Sequence, residues 1–391
     1  MSSLSHRGAS SRERYRPAHR LAVVSSASVP PIRLRPEIAA AGVYRQGAAP
    51  APGAFKLSSN ENPFEPLPSV LAAIRDATEI NRYPDGSAGA VRAALATRFD
   101  VTPEEVLVGP GSVSLFYYLI AAVAAPGDEV VYAWRSFEAY PNAVAVAGAT
   151  AVEVALTPDA RHDLPAMAAA VTDRTRAVVV CSPNNPTSTA VGAEEFARFM
   201  DAVPSDVLVL LDEAYVEFVT DPDAVDGRLL LRRYPNLVVL RTFSKAFGLA
   251  GLRIGYLIGH PAIVAAVHVA AHPLAINSVS QAAALASLAA ETELLERVAV
   301  IAERRDGLAR ELRALDWDIP EAQGNFVWLP TGADTDRVAT ALWHAGLVTR
   351  PYAADGIRVS VGEPESVPEL LRLCAELVPR RQNHARHAGL G

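Results

Sequence analysis

The chain has 391 residues, half of them apolar and a fifth charged, with a formal net charge of −7. That composition is ordinary for a folded protein, and the length suits one large domain plus a smaller one. The acidic balance excludes a general basic footprint for nucleic acid or an anionic membrane. The two cysteines, Cys181 and Cys374, lack metal-ligand or redox-motif spacing, which points to a reduced, cytoplasmic setting.

Residues 1–30 are rich in Ser, Arg and Ala, with Glu13 the only acid. An organelle transit peptide has such a composition, and so does a disordered tail; we read a disordered tail, matched by another at 381–391. Residues 31–59 form an N-terminal segment expected to join the smaller domain. From Asn60 short apolar runs alternate with helical stretches. Glu129–Ala133, Ala177–Cys181, Val207–Leu211, Leu237–Leu240 and Ile254–Ile258 read as buried strands, being rich in Val, Ile and Leu and bounded by turn residues. Ser112–Ala125 and Glu194–Ala202 read as helices between them. This order implies an α/β fold, with a mostly parallel sheet in a large domain over 60–270. Gly255 to Ala290 carries no Asp, Glu, Lys or Arg. Pro261, Pro273 and the polar Asn277–Gln281 stretch exclude a membrane span, which needs ~20 continuous apolar residues. We read a buried helix there, at a subunit interface. Beyond it, Glu291–Leu315 is a long amphipathic helix, Asn325–Leu329 and Gly356–Val361 are strands, and Asp336–Ala345 and Val367–Val378 are helices. These make a smaller α+β domain over 271–380.

Among 36 basic residues only Lys56 and Lys245 are lysine; the rest are arginine. A guanidinium stays protonated, whereas an amine can become a neutral nucleophile. Lys245 closes Thr242-Phe243-Ser244-Lys245 directly after the Leu237–Leu240 run. Asp212-Glu213-Ala214-Tyr215 follows Val207–Leu211, Ser182-Pro183-Asn184-Asn185-Pro186-Thr187 follows Ala177–Cys181, and Gly109-Pro110-Gly111-Ser112 opens a helix. In parallel sheets ligands bind at such strand ends. The third glycine of a dinucleotide fingerprint is missing, so a Rossmann site is rejected. Singly, each motif is a common turn or cap. Together they meet the needs of pyridoxal 5'-phosphate (PLP). Lys245 offers the amine for its aldehyde, and Asp212 the anion for its pyridine nitrogen. Asn185 and Tyr215 offer donors to the ring oxygen. Gly111 and Ser112 offer backbone N–H groups for the phosphate, and Thr242, Ser244 and Arg253 complete that cradle. His260, His268 and His272 have no ligand spacing, so no metal is expected.

The ordered set Asn-Asn-Pro-Thr, Asp-Glu-Ala-Tyr and Ser-Lys-Ala-Phe-Gly-Leu-Ala-Gly-Leu-Arg-Ile-Gly-Tyr resembles the fold-type I PLP aminotransferases of the histidinol-phosphate aminotransferase group. The resemblance runs from about Arg33 to Val378 and implies an aspartate aminotransferase-like fold with a seven-stranded sheet. It implies further roles. Asn60, in Leu57–Pro63, would bind substrate, as Asn185 would. Tyr83 would reach the phosphate site of a partner subunit in a homodimer. Phe137, within Trp134–Pro141, would stack on the cofactor ring. Arg358, in Gly356-Ile357-Arg358-Val359-Ser360, would bind the substrate's anion. Ser188 and Val113-Ser114 depart from the wider group and are similar to its actinobacterial aromatic amino acid branch.

The resemblance therefore implies ping-pong transamination of phenylalanine and tyrosine with 2-oxoglutarate, Lys245 acting as nucleophile and general base. Histidinol phosphate is the alternative donor, since an arginine takes a phosphate or a carboxylate in the same bidentate way. A phosphoamino-acid decarboxylase and a catalytically inactive PLP-binding regulator are the remaining readings.

Overall fold

A computed structural model describes residues 32–40, 42 and 49–377. The two tails read at 1–30 and 381–391 lie outside the described residues. The central sheet has seven strands: β1 (Val106–Gly109), β2 (Glu129–Trp134), β3 (Thr150–Ala155), β4 (Thr175–Cys181), β5 (Leu208–Asp212), β6 (Leu237–Thr242) and β7 (Gly255–Ile258). Their order is β1-β7-β6-β5-β4-β2-β3. Only β7 runs antiparallel to its neighbours, β1 and β6. This is the α/β fold expected.

Side-chain alternation explains why these runs are strands covered on both faces. In β4, Ala177, Val179 and Cys181 pack with the Ser112–Val123 helix, while Val178 and Val180 pack with the Ala193–Ala202 helix. In β5, Leu208 and Leu210 face the first layer, and Val209 and Leu211 the second. An apolar residue at every position is what burial of both faces requires, and each fully buried aliphatic side chain contributes ~1.5–3 kcal/mol. The two strands of the central sheet that the sequence reading omits, Val106–Gly109 and Thr150–Ala155, lie at its edges. Thr150–Ala155 is an edge strand whose side chains alternate between exposed and half-buried.

A second core gathers Leu57, Leu308, Leu312, Trp317, Val327, Leu342, Ile357 and Leu370. It lies against a three-stranded antiparallel sheet of β8 (Phe326–Leu329), β9 (Arg350–Tyr352) and β10 (Gly356–Ser360), ordered β9-β10-β8. The N-terminal segment joins this core: Phe55–Lys56 pairs with Leu347–Val348, and Leu57 is buried.

The uncharged 255–290 stretch is not one buried helix. It comprises β7, a helix over Pro261–Ala270 and a second over Ser278–Ala289. Pro261 enters the first helix at its start, as a residue without an N–H can. Asn277 caps the second, accepting from Ser280 N at 2.8 Å. The absence of charge here does not mean burial throughout, since Val269 is 89% exposed. Among the described residues no helix is long and apolar enough to cross a membrane.

Candidate active site

The carboxyl ends of β1, β2, β4, β5 and β6 share one edge of the sheet, and a cavity of about 500 Å³ opens there. That volume suits a small molecule plus cofactor. Ten residues singled out in the sequence line it. Ser112 follows β1 and Phe137 follows β2. Asn185 follows β4, while Asp212 and Tyr215 come from the end of β5. Thr242, Ser244, Lys245 and Arg253 come from β6 and its loop, and Arg358 from β10. Asn60 is fully buried outside the lining. Its amide donates to Tyr215 OH at 3.0 Å, and its Oδ1 accepts from Ser360 Oγ at 2.8 Å. Tyr83 is 85% exposed and does not line this chain's own cavity.

Lys245 Nζ donates to Ser59 O at 2.9 Å. Burial pushes its pKa down to about 7, and the positive charges of Arg358 and Arg253 push the same way against the pull of Glu61. A reactive neutral amine is therefore available at physiological pH. Acylation of Lys245 in cofactor-free protein should rise with a midpoint near pH 7, far below the ~10.4 of a free lysine. Competitive labelling followed by mass spectrometry measures this, and a midpoint above about 9 would refute it.

Asp212 lines the cavity and is buried. Its Oδ2 accepts from Tyr140 OH at 2.7 Å and its Oδ1 from Ala214 N at 3.2 Å. Burial raises its pKa to about 6 in spite of these two hydrogen bonds. A buried carboxylate held only by neutral donors is suited to a cationic ring nitrogen, which would restore its charge. Above it, Arg358 donates to Asn185 Oδ1, which turns the Asn185 amide N–H₂ group away from the arginine. Tyr215 OH accepts from Asn60, so its own proton is available to a ring oxygen.

The anion cradle depends on two glycines. Gly111 has φ +85°, and a Cβ there would lie 2.3 Å from Arg253 Nη2. A Cβ on Gly255 would lie 2.6 Å from Ser112 N. The Ser112–Val123 helix thus presents its N-terminus beside Arg253, whose Nη1 donates to Ser244 Oγ at 3.1 Å. Arg358 Nε and the Ser58 and Ser59 hydroxyls are buried without a protein partner. Together these groups form a donor set able to take anions at two places in the cavity.

Several contributors escaped the sequence reading. Tyr140 props Phe137 edge-on, with ring centroids 5.6 Å apart, while bonding Asp212. It lies inside the quoted Trp134–Pro141 motif, but nothing local marks its hydroxyl as bound. Glu213 and Arg241 form a buried ion pair immediately behind Asp212 and Thr242. Arg350 also lines the cavity, bonded to Glu138. Neither its spacing nor its composition distinguishes it from the many other arginines.

A seven-stranded, mostly parallel sheet with a lysine of lowered pKa, a buried aspartate and an anion cradle at its carboxyl edge defines an enzyme site of the aspartate aminotransferase-like fold. The family model for aminotransferase class I and II matches residues 52–385, and the chain belongs to that family. It is thus a transferase. An aromatic amino acid aminotransferase from Thermobifida fusca is 55% identical over 342 residues, 86% of this chain and 95% of its own. One from Streptomyces coelicolor is 49% identical over 348 residues, covering 88% and 97%. Among solved structures, the histidinol-phosphate aminotransferase from Sinorhizobium meliloti, in complex with pyridoxal-5'-phosphate, superposes with a TM-score of 0.76 at 30% identity, covering 89% and 96%. Thermus thermophilus aspartate aminotransferase with maleate gives 0.74 at 27% identity, covering 84% and 93%.

Proposed function

We propose that this chain is a PLP-dependent aminotransferase taking phenylalanine and tyrosine as donors and 2-oxoglutarate as acceptor. The observation that carries the cofactor is the convergence of Lys245, Asp212 and the Gly111–Arg253 cradle in one cavity. The aromatic donor is supported by the relatives at 49–55% identity, which bear that name. When bound, PLP supplies an aldehyde that exchanges amines and a ring that accepts the electrons released at the α-carbon. Gly111, Ser112, Thr242, Ser244 and Arg253 would hold its phosphate, Phe137 would pack on the ring, and Asn185 and Tyr215 would donate to the ring oxygen. Asp212 would balance the charge on the ring nitrogen. Lys245 Nζ takes the proton from the donor's α-carbon and, in the reverse half-reaction, returns one to the acceptor's. Arg358 would bind the carboxylate of the donor, whose keto acid leaves before the acceptor takes the same place, so the kinetics should be ping-pong. Steady-state kinetics with phenylalanine, tyrosine and histidinol phosphate against 2-oxoglutarate test the assignment. Phenylalanine should lead; a tenfold preference for histidinol phosphate, roughly 1.4 kcal/mol, would replace the aromatic reading.

We further read residues 60–270 as the cofactor-binding domain and 271–380 as the smaller one, and we read the working enzyme as a homodimer. Tyr83 and Arg253 are both exposed in the single chain, as are Ile80, three residues before Tyr83, and Leu274, which lies beside Gly86. Gln281 ties the segment bearing Tyr83 to the Ser278–Ala289 helix through Asp85 O at 2.9 Å. Mixing Lys245→Ala with Tyr83→Phe subunits should restore activity by forming one intact site per dimer; a fully active monomer in light scattering would refute this. The compartment we assign is the cytoplasm, because Cys181 and Cys374 are buried free thiols in separate cores. Recovery of the activity outside the cytosolic fraction would overturn that assignment.

A further inference from the structure

Arg350 and Arg358 are antiparallel partners on β9 and β10, so their side chains leave the same face of the small sheet, and both line the cavity. Like charges directly opposite each other are unfavourable in a sheet. The two guanidinium groups are treated differently. Arg358 bonds neutral oxygens, Asn185 Oδ1, Ser58 O and Tyr352 OH, and its Nε is buried with no acceptor. Its charge is available to a substrate carboxylate. Arg350 instead donates to Glu138 Oε2 through Nε at 3.2 Å and Nη2 at 2.7 Å. Glu138 is the residue after Phe137, and it also lines the cavity.

We propose that Glu138 is a specificity-determining residue: its carboxylate occupies the anion position on Arg350 and so favours a substrate with an apolar side chain over one with a second acidic group. The proposal rests on the aminotransferase reading above. A substrate with one carboxylate and an aromatic ring needs Arg358 alone, and beside its ring it meets an arginine already bonded to a carboxylate. A dicarboxylate or phosphate-bearing substrate gains Arg350 only by displacing Glu138. Side-chain exposure is 25% for Glu138 against 10% for Arg350. A displaced Glu138 can therefore turn toward water, while Arg350 stays mostly buried beside the incoming anion. A dicarboxylate acceptor thus remains usable, with an affinity set by competition with Glu138.

The test is calorimetric binding of two unreactive acids, 3-phenylpropionate and glutarate, to the holoenzyme. Glu138→Gln keeps the size of the side chain and a hydrogen-bond acceptor for Arg350. It should tighten glutarate about tenfold or more, while 3-phenylpropionate stays within about twofold. Arg350→Gln added to Glu138→Gln should erase the gain. Glu61→Gln removes a cavity carboxylate that pairs with Lys56, and should leave the ratio of the two affinities unchanged. Unchanged glutarate affinity in Glu138→Gln, an equal gain for both acids, or the same gain from Glu61→Gln overturns the proposal. If wild type binds 3-phenylpropionate while Glu138→Gln changes nothing, only the Glu138 role fails. If neither acid binds any variant, the aminotransferase reading fails with it.

Discussion

Lys245→Ala is expected to abolish transamination while leaving a folded protein. A general base alone contributes ~10²–10⁴-fold, and this residue is also proposed to supply the amine that attaches the cofactor, so the loss of kcat/KM should reach at least the upper end of that range. Borohydride reduction of the wild-type holoenzyme, followed by peptide mapping, should place the cofactor on Lys245. Lys56 is bonded to Glu61 at 2.9 Å and does not line the cavity. A label on Lys56, or none at all, would refute the central assignment. Stability separates this outcome from misfolding. Lys245 has its pKa lowered from 10.5 to about 7 in the folded chain. Between those values the unfolded chain holds a proton that the folded chain does not, so stability falls as pH drops through that window. The full cost persists below pH 7. Lys245→Ala removes that cost, and the cofactor-free variant should melt no lower than wild type near neutral pH. A lower Tm there would mean that the lost activity reports damage to the fold.

Arg358→Ala should be the second most damaging change. Removing one partner of a shielded arginine–carboxylate pair costs ~2–5 kcal/mol, much of it from the charge left unpaired. In kcat/KM that is roughly thirty-fold to several-thousand-fold, and it should fall on phenylalanine and 2-oxoglutarate alike. The structure adds a reason for the upper part of the range. Arg358 also holds Asn185 Oδ1 and Ser58 O, so its loss frees the amide proposed to face the cofactor's ring oxygen. Arg358→Lys should recover only part of the activity, since an ammonium cannot reproduce the planar fork. Cofactor binding should survive, because the cradle of Gly111, Ser112, Ser244 and Arg253 is built on other elements. Phenylalanine turnover within a few-fold of wild type in Arg358→Ala would show that the carboxylate is bound elsewhere.

Consecutive residues carried much of this molecule. The five runs read as strands occur with ends shifted by one or two residues, because an unbroken Val-, Ile- and Leu-rich run between turn residues has few other uses in a short segment. Lys245, Asp212 and Asn185 were legible as cavity-lining residues because each follows such a run, and strand ends in parallel sheets are where ligands gather; Ser112 was legible because Gly109-Pro110-Gly111-Ser112 opens a helix. The rarity of lysine among so many arginines sharpened the choice. Reading failed where the local signal was ambiguous. The uncharged 255–290 stretch resembles a continuous apolar element, yet its turns divide it and leave Val269 in the open.

The pairings that tune the site lie beyond any local period. Tyr140 meets Asp212 across 72 residues, Arg358 meets Asn185 across 173, Lys245 meets Ser59 across 186, and Arg350 meets Glu138 across 212. Spacing encodes elements because backbone geometry repeats every 2 or 3.6 residues. It does not encode which strand lies beside which, and here that order brings five strand ends to one edge. The sequence therefore determined the elements and the residue types able to do the chemistry. The packing of the sheet and the β9–β10 hairpin decided which of them touch, lowering the pKa of Lys245 by burial and masking one arginine of two.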